Sequence, residues 1–509
     1  MAITIRHLTV TLRKSLRTLI DDLSLTLNPS ERMAVIGEEG DGKSTLLKLL
    51  ADPSSVEPYA DWTGDISLRD EKPGYLAQDP GFDRSRPIVD LCQNHPDFAD
   101  ASEGERRRLA ARLGLPTDLW WEERPLRTLS GGEMIKLRLF LILLGEPTAL
   151  LLDEPSNDLD LPALQFLEDF LTGLSMPVLF VSHDEGLLEK TANAVLHLEQ
   201  VYGKTAPRAT VSRLPYAEYM RARQSALERQ EQQALWERRE KRARDERFRR
   251  IEQAVDHAQA TISRADPAGG RLIKKKMKAV KSLERRFERE DREMTQRPNV
   301  EWGIDASFDP DIVLPRGKIV VDWAIPALSV GDRILARDVR LRVTGPEKVL
   351  IAGPNGCGKS TLLRALWEDL RDRRDLRPFY MPQRLSEALD ERLTPEEYLY
   401  EGDDKENRTK ARVYLGALRF TREETAWPIR DLSGGQKTKL LFLKMILTRA
   451  DVLLLDEPTR SLSPLSAPRL RDQLAAFPGA VICVTHDRLL IERMGGRLLR
   501  LTPEGLTEL

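Results

Sequence analysis

Two glycine-rich segments carry the residue types that bind phosphate groups. GEEGDGKST spans residues 37–45 and GPNGCGKST spans residues 353–361, and both fit the spacing GxxxxGK[ST]. In such a loop the glycines let backbone amides approach phosphate oxygens, the lysine reaches the β- and γ-phosphates, and the serine binds Mg²⁺. One match alone is also compatible with a Gly-rich turn before a helix. The residues predicted to bind in this way are Gly37, Gly40, Gly42, Lys43, Ser44, Thr45, Gly353, Gly356, Gly358, Lys359, Ser360 and Thr361.

Two apolar strand patterns end in an Asp-Glu pair, in the sequence LLLDEP both times. At the end of a strand, Asp153 and Asp456 can reach the coordination shell of Mg²⁺. Glu154 and Glu457 follow directly and can orient or deprotonate an attacking water. An ordinary strand-end turn would explain either pair alone. Beside two phosphate-binding loops, the pairs predict transfer of a phosphoryl group to water.

These motifs belong to an internal repeat. LSGGE at residues 129–133 recurs as LSGGQ at 432–436, and VSHD at 181–184 recurs as VTHD at 484–487. The two signature motifs are 303 positions apart, and so are the two LLLDEP segments, whereas the loop lysines are 316 positions apart. The first copy therefore has 13 extra residues before its LSGG motif. Four motifs in the same order, twice, predict two copies of one domain.

Each copy alternates strand patterns with helix patterns. It begins with strand-like segments, continues through the glycine-rich loop into a helix pattern, and later places an apolar strand before Asp-Glu. This alternation predicts an α/β fold with a mostly parallel sheet. We place the two domains at residues 1–205 and 318–509, with a linker at residues 206–317.

The linker differs from both domains in composition. Residues 216–297 hold 23 Lys and Arg against 15 Asp and Glu, a net charge of +8, so the rest of the chain sums to −10. Apolar residues recur at helical spacing on both sides of ADPAGG at residues 265–270. They are Phe248, Ile251, Val255, Ala258 and Ile262, then Ile273, Met277, Val280, Leu283 and Phe287. The pattern predicts an antiparallel helical hairpin with an apolar seam, whose first helix, at residues 216–262, would reach about 70 Å.

Composition argues against several other classes of protein. The three cysteines, Cys92, Cys357 and Cys483, lie far apart without CxxC spacing, which predicts neither a disulfide framework nor a zinc site. The first ten residues alternate like a strand and do not resemble a signal peptide. The most apolar stretch, residues 137–152, is interrupted by Gly-Glu-Pro and is too short to span a bilayer. We therefore expect a cytoplasmic protein without a membrane domain.

Together, the glycine-rich loops, LSGG, LLLDEP and the downstream histidines resemble ATP-binding cassette proteins over essentially all of both domains. The resemblance implies an ATPase that uses ATP and Mg²⁺, with helical and antiparallel β subdomains beside each sheet. It also implies that the two cassettes pair head to tail within one chain, as a monomer. The signature residues of one cassette would then contact the γ-phosphate held by the other, Ser130, Gly131 and Gly132 facing Lys359, and Ser433, Gly434 and Gly435 facing Lys43. It identifies Gln78 and Gln383 as Q-loop residues near the metal, and His183 and His486 as switch histidines.

Two fused cassettes, no membrane span and a charged linker resemble the ABC-F family, whose members act on the ribosome. The resemblance implies that the hairpin contacts rRNA and P-site tRNA. Six basic residues without an acid lie between residues 271 and 281, where they could bind RNA phosphates. A solvated coiled-coil face is the alternative explanation of such a run. The candidate RNA-binding residues are Arg271, Lys274, Lys275, Lys276, Lys278 and Lys281.

The chain departs from the family pattern in three places. No arm insertion interrupts the first cassette, which resembles the armless branch that includes ribosome-protecting antibiotic-resistance proteins. The second D-loop, TRSLS at residues 459–463, has Ser463 where SNDLD at 156–160 ends in Asp160, so the two ATP sites are expected to be unequal. The segments LRKSL and SVGDR lack the family's adenine-stacking aromatic residue. Protection against an antibiotic stays open at this point.

Two other functions are compatible with paired cassettes. An ATPase subunit of a transporter whose membrane chains are separate would carry the same motifs, but it has no use for a basic hairpin of this length. A DNA-repair or chromosome ATPase would carry far longer coiled coils or a zinc site. We expect a ribosome-binding ATPase that modulates translation or protects against ribosome-targeting antibiotics.

Overall fold

The computed structural model describes residues 3–68, 72–79, 81–157, 159–201, 206–261, 267–295, 308–400, 405–418 and 420–509. The chain divides into two compact units, of which one is Met1–Tyr216 with Glu301–Leu509 and the other is Ala217–Val300. These limits differ from the domain boundaries predicted at 205/206 and 317/318, which stay predictions. Residues just beyond position 205 form a strand, described below, that pairs with the first cassette's sheet.

The first cassette is built on a six-stranded sheet with strand order β5-β6-β7-β3-β8-β9, in which only β9 is antiparallel to its neighbour. A second, antiparallel sheet has the order β2-β1-β4. The elements are β1 (Ile3–Leu12), β2 (Thr18–Leu27), β3 (Arg32–Ile36), α1 (Lys43–Ala51), β4 (Ala60–Ser67), β5 (Pro73–Leu76), α2 (Ile88–Gln93), α3 (Pro96–Asp100), α4 (Glu103–Leu113), α5 (Gly131–Leu144), β6 (Ala149–Asp153), α6 (Leu161–Thr172), β7 (Val178–Val181), α7 (Glu185–Thr191), β8 (Ala194–Val201) and β9 (Ala206–Ser212).

The smaller unit is an antiparallel helical hairpin of α8 (Tyr216–Thr261) and α9 (Pro267–Glu293). Phe248 packs edge to face on Phe287, with ring centroids 5.6 Å apart, and Arg244 pairs with Glu290 and Asp291. These contacts confirm the predicted antiparallel seam near the end of α9.

Two details of the hairpin prediction change. Residues 267–270, predicted to lie in the tip loop, already form the first turn of α9, since proline is well tolerated where a helix begins. Ile251, predicted to lie in the seam, is 47% exposed. The predicted seam residue Ile262 and the side chains of Ala258 and Ile273 lie outside the described residues.

The second cassette repeats the topology of the first, with strand order β13-β14-β15-β12-β16-β17. Its elements are β10 (Ile319–Val330), β11 (Arg333–Thr344), β12 (Lys348–Ala352), α10 (Lys359–Leu370), β13 (Pro378–Met381), α11 (Pro395–Leu399), α12 (Lys405–Ala417), α13 (Gly434–Leu447), β14 (Val452–Asp456), α14 (Ala467–Ala476), β15 (Ala480–Val484), α15 (Arg488–Met494), β16 (Arg497–Thr502) and β17 (Gly505–Glu508). Short 3₁₀ turns lie at Pro53–Ser55, Leu119–Trp121, Leu126–Thr128, Leu385–Glu387, Glu424–Ala426 and Ile429–Asp431. The predicted α/β fold, two P-loop cassettes joined by a helical hairpin, is confirmed.

The 13 extra residues of the first copy lie mainly in β4. In its described part the second cassette pairs only β10 with β11 in its antiparallel sheet. In the first cassette, β4 adds a third strand to the corresponding sheet by pairing with β1. In the sequence, β4 lies between α1 and β5. The insertion therefore widens an outer sheet and leaves the order of the central strands unchanged.

Burial explains why the central strands read as continuous apolar runs. Every residue of β6 and of β14 is buried, because helices cover both faces of a parallel sheet. The final residue of each of these two strands is an aspartate. No helix in the described part of the chain is both long and apolar enough to cross a membrane.

Candidate functional site

Each glycine-rich loop joins a buried strand to a helix. Gly37 has φ +153°, and a Cβ there would lie 2.2 Å from the Leu198 carbonyl oxygen, so a larger residue cannot be accommodated. Gly353 has φ +154°, and its Cβ would lie 2.7 Å from the Leu501 carbonyl oxygen. The two loops therefore follow the same backbone path. At the first residue of each loop, the positive φ and the nearby carbonyl oxygen of the adjacent strand both require glycine.

The loop lysines bind the backbone of their own loops. Lys43 Nζ donates to the carbonyl oxygens of Gly37 and Glu38, at 2.9 and 2.8 Å. Lys359 Nζ donates to the corresponding oxygens of Gly353 and Pro354, at 2.8 and 2.9 Å. Both ammonium groups are thus fixed inside the loop, where phosphate oxygens would be bound.

In the first cassette, the loop serine and the strand-end aspartate lie within hydrogen-bonding distance, as two ligands of one magnesium ion would. Ser44 Oγ donates to Asp153 Oδ1 at 3.0 Å, and Asp153 Oδ2 is buried without a hydrogen-bond partner among the described residues. Burial raises the pKa of Asp153, and it likewise raises the pKa of Asp456, which faces Ser360. Hydroxyl and carboxylate oxygens are ligands that Mg²⁺ prefers. These residues fit Mg²⁺ in both cassettes, with nucleotide and water oxygens completing its shell.

The glutamates after the strands adopt a strained backbone conformation. Glu154 and Glu457 both have φ 52°, in the left-handed region that non-glycine residues rarely occupy. Each backbone N–H donates to the neighbouring strand, to Val181 at 3.0 Å and to Val484 at 2.9 Å. Strain of this kind persists where the surrounding structure imposes it, and it clusters at active sites.

The switch histidines differ between the cassettes. His183 Nε2 lies 3.0 Å from Glu154 Oε1, whereas His486 Nε2 lies 3.8 Å from Glu457 Oε1. Burial by itself would lower the pKa of His183, but the Glu154 carboxylate outweighs it and the pKa is raised. Burial and Lys359 lower the pKa of His486 to about 4, so this imidazole is neutral at pH 7. Burial also raises the pKa of Glu457 to about 7.

The LSGG motifs begin helices. Ser130 caps α5 by accepting from the Glu133 N–H, and the Glu133 carboxylate accepts from the Ser130 N–H. Ser433 and Gln436 cap α13 in the same way. Helix N-termini with free amides attract anions, which is the property that the predicted γ-phosphate contact needs.

The cassettes meet head to tail. His183 Nδ1 lies 2.8 Å from the carbonyl oxygen of Leu462, in the second D-loop. The Gly435 N–H donates to Glu39 Oε2 at 2.9 Å, which joins the second signature helix to the first glycine-rich loop. We call the region between that loop and the second signature the first site. The second site lies between the loop at residues 353–361 and the first signature.

The second site is an open cavity of about 1090 Å³. Residues of both cassettes line it. Among the predicted site residues, its lining includes Gln78, Ser130, Gly131, Glu154, His183, Gly356, Gly358, Lys359, Ser360, Thr361, Gln383, Asp456, Glu457 and His486. Gly132 is not part of the lining, since a Cβ on it would meet Ala163 Cβ at 2.9 Å. The cavity thus brings together groups that the sequence places more than 200 positions apart.

In the first site, acidic side chains that sequence reasoning missed contact the opposite cassette. Glu38 Oε1 accepts from Ser463 Oγ at 2.6 Å and from Ser466 Oγ at 2.7 Å. Lys439 Nζ lies 3.8 Å from Glu38 Oε2. The signal was available in the sequence, because a loop that binds anions rarely carries the acids that distinguish GEEGD from GPNGC.

A buried ion-pair network also links the cassettes and was not predicted. Arg471, which is 6% exposed, donates to Glu185 Oε1 at 2.7 Å and to Asp487 Oδ2 at 2.8 Å. Burial raises the pKa of Glu185 to about 7, although Arg471 opposes the shift. Glu185 and Asp487 follow the two switch histidines by two positions and one position. Arg471 therefore connects the two switch segments.

In the hairpin, the basic run lies on α9. Lys274, Lys275, Lys276, Lys278 and Lys281 have exposed side chains, while the side chain of Arg271 lies outside the described residues. The five lysines are available to solvent or to a partner, and their RNA-binding role stays a prediction.

Comparison with known proteins agrees with the cassette motifs. A family model described as ABC transporter matches residues 20–157 and 336–460, which together make up more than half of the chain. The tylosin resistance ATP-binding protein TlrC of Streptomyces fradiae is 29% identical over 564 residues, covering 97% of this chain and 96% of TlrC. The ribosome protection protein VmlR of Bacillus subtilis (strain 168) is 28% identical over 506 residues, covering 96% of this chain and 85% of VmlR.

Solved structures show the same fold. The archaeal ribosome recycling factor aABCE1, crystallised with the ribosomal stalk protein aP1, has a TM-score of 0.58 and 18% identity, covering 99% of this chain and 90% of its own. That likeness supports the tandem arrangement of the cassettes. With the motifs, the family match and the relatives taken together, this chain belongs to the ATP-binding cassette family and is an ATPase of the ABC-F group.

Proposed function

We propose that this ATPase acts on the ribosome. In this proposal ATP binding holds the cassettes closed while the hairpin contacts rRNA and P-site tRNA, and hydrolysis reopens them. The observation that carries the proposal is the row of exposed lysines on α9. Lysine and arginine bound to nucleic-acid phosphates release counterions, which supplies most of the affinity for RNA backbones.

The chemical step belongs to the candidate residues described above. Lys359 would hold the β- and γ-phosphates, and Glu457 would orient or deprotonate the attacking water. Ser360 and Asp456 would hold Mg²⁺, which neutralises charge on the phosphoryl oxygens. Ser130 at the start of α5 would contact the γ-phosphate, so that closure and phosphate binding depend on each other.

Closure can move the hairpin because nucleotide binds one arrangement of the cassettes better than the other. α8 has 46 residues, and a helix of that length reaches about 70 Å. A small rotation at its base would therefore displace its far end by many ångströms. The name of VmlR, a ribosome protection protein, supports a ribosomal target for this chain as well.

A ribosome-fractionation experiment tests the proposal. The double variant Glu154→Gln, Glu457→Gln binds ATP without hydrolysing it, and we expect it to comigrate with ribosomes in sucrose gradients run with ATP. The control is Lys43→Ala, Lys359→Ala, which should stay in the top fractions. Sedimentation of the first variant with membranes would favour a transporter subunit, and its presence only in the top fractions would contradict the proposal.

The role of the hairpin needs a separate test. Reversing Lys274, Lys275 and Lys276 to Glu should weaken ribosome binding and reduce the slope of log affinity against log salt by about two to three, since three phosphate contacts are lost. A matched control reverses three exposed arginines of α8, Arg238, Arg239 and Arg242, and so changes the net charge equally. If the two variants had equal slopes of log affinity against log salt, the lysines would be a solvated surface without a specific role in RNA binding.

Protection against an antibiotic is the narrower form of the proposal. Its support is the likeness to TlrC over 97% of this chain. A drug-susceptibility panel in a strain that lacks the gene would separate the two forms. Sensitivity restricted to drugs that bind the ribosome supports protection, whereas unchanged sensitivity with altered polysome profiles supports a general role in translation.

A further inference from the structure

The first phosphate-binding loop has acidic residue types at three positions where the second loop has none. Glu38, Glu39 and Asp41 of the first loop correspond to Pro354, Asn355 and Cys357 of the second. Nothing in the shared backbone path requires acids there, because the second loop follows the same path without them. The acids therefore point to a difference in ligand.

The Glu39 carboxylate occupies the start of the second signature helix. Its Oε2 accepts from the Gly435 N–H at 2.9 Å, and a Cβ on Gly434 would meet its Oε1 at 3.2 Å. These amides begin α13, a helix of 14 residues whose N-terminus favours an anion. Head-to-tail pairing would otherwise give this position to the γ-phosphate of a nucleotide bound by Lys43.

Glu38 also attaches the first loop to the second cassette, through residues outside the signature motif. Ser463 and Ser466 donate to its Oε1, and Lys439 lies near its Oε2. Burial would raise the pKa of Glu38, but Lys439 and the two hydroxyls outweigh it and the pKa is lowered. Glu38 is therefore ionised. The D-loop serine is thus complementary to the acidic loop, whereas an aspartate at position 463 would repel it.

The second site shows none of these features. Its loop is neutral at the equivalent positions, and the signature residues Ser130 and Gly131 line an open cavity together with Lys359. A γ-phosphate has room there, opposite a helix N-terminus that no loop carboxylate occupies. The contrast lies within one chain, between two loops with the same glycine, lysine and serine positions.

We propose that the first site takes a nucleoside diphosphate, and that Glu39 determines this specificity by replacing the γ-phosphate at the second signature helix. A nucleoside diphosphate leaves Glu39 in place, whereas a triphosphate must displace it and put further negative charge beside Glu38 and Glu39. The inference rests on the nucleotide-binding part of the proposed function and not on the ribosome.

Calorimetry on a chain with one functional site tests the inference. Lys359→Ala disables the second site, and the first site is then titrated with ADP and with ATPγS in the presence of Mg²⁺. We expect ADP to bind at least about tenfold more tightly, because like charges a few ångströms apart in partly buried surroundings repel strongly. Adding Glu39→Asn, the residue found at position 355, should remove that preference. Glu57→Asn, an exposed acid of the same cassette, should leave it unchanged.

A reciprocal variant guards against a folding defect. In a Lys43→Ala background, Asn355→Glu should shift the second site towards ADP by about tenfold. Equal affinities for ADP and ATPγS in the Lys359→Ala protein, or no nucleotide binding by it, would overturn the inference. So would an affinity ratio that does not respond to either substitution at positions 39 and 355. Failure of ribosome binding in the gradients leaves these ratios unaffected, so the two proposals can fail separately.

Discussion

The two nucleotide sites have the same motifs and the same backbone, yet their chemistry differs. Gly37 and Gly353 share one conformation, as do Glu154 and Glu457, because the strands and the shared loop positions around them are equivalent. In one site a carboxylate of the loop itself accepts a hydrogen bond from the opposite signature helix, while the other site is an open cavity. The shared glycine, lysine and serine positions of the glycine-rich loop determine its backbone conformation. The variable positions between them determine which charged side chains the loop carries.

The two histidines that we predict as switch residues also differ between the cassettes. His183 is in direct contact with Glu154, and its ring also reaches the D-loop of the other cassette. His486 has no hydrogen bond to its ring among the described residues, and burial with Lys359 keeps it neutral. The His183 ring is thus held by protein contacts, whereas the partners of the His486 ring would come from a ligand.

The largest expected effect concerns hydrolysis. Glu457→Gln should lower the turnover number by about 10²-fold or more, the range expected for loss of a general base. Glu154→Gln should lower it less than about tenfold, because we assign turnover to the open second site. Steady-state phosphate release at saturating ATP measures both, with the exposed Glu504→Gln as control. Equal residual activity of the two variants would show that the sites are equivalent.

The next effect concerns the link between the sites. Arg471→Ala should lower the free energy of unfolding by about 3–5 kcal/mol, since it leaves the buried Glu185 and the partly buried Asp487 without their cation. Urea unfolding measures the change. The control is Arg493→Ala, whose side chain is 63% exposed in its pair with Asp472 and whose loss should cost at most about 1 kcal/mol. Similar urea midpoints for the two variants would contradict a coupling role for Arg471.

The smallest effect concerns the D-loop. Ser463→Ala removes one of two hydroxyl donors to Glu38 and should lower the free energy of unfolding by about 1–2 kcal/mol. Ser463→Asp should lower it further, because it restores the usual acid beside an ionised Glu38. Urea midpoints give the order, with Ser329→Ala on the exposed side of β10 as control. A Ser463→Asp protein as stable as the parent would show that Glu38 does not select the serine.

Much of the fold was predictable because it follows from local patterns. Apolar runs before Asp153 and Asp456 became the buried strands β6 and β14, and helical spacing gave the hairpin of α8 and α9. The hairpin tip was harder to place, since Pro267 and the glycines after it favour a turn in isolation but begin a helix here. The exposure of Ile251 also depends on how the helices cross, which spacing alone does not give.

The residues of the candidate site were predictable where a motif names them, and not where they act across the cassettes. Lys43, Ser44 and Asp153 were found by spacing. Arg471 and Ser466 stand in segments without a motif, and their importance comes only from partners more than 280 positions away. Residues so distant in sequence meet through tertiary packing, which short-range periodicity does not encode.

The sequence by itself determined two cassettes, their sheets and which groups are predicted to face phosphate, because strands, helices and glycine-rich loops depend on neighbouring residues. Only the tertiary structure decided that Glu39 reaches the second signature helix and that the site around Lys359 stays open. Those outcomes depend on Coulomb and hydrogen-bonding energies between separate cassettes, and such energies depend on distances that exist only once the two halves have packed.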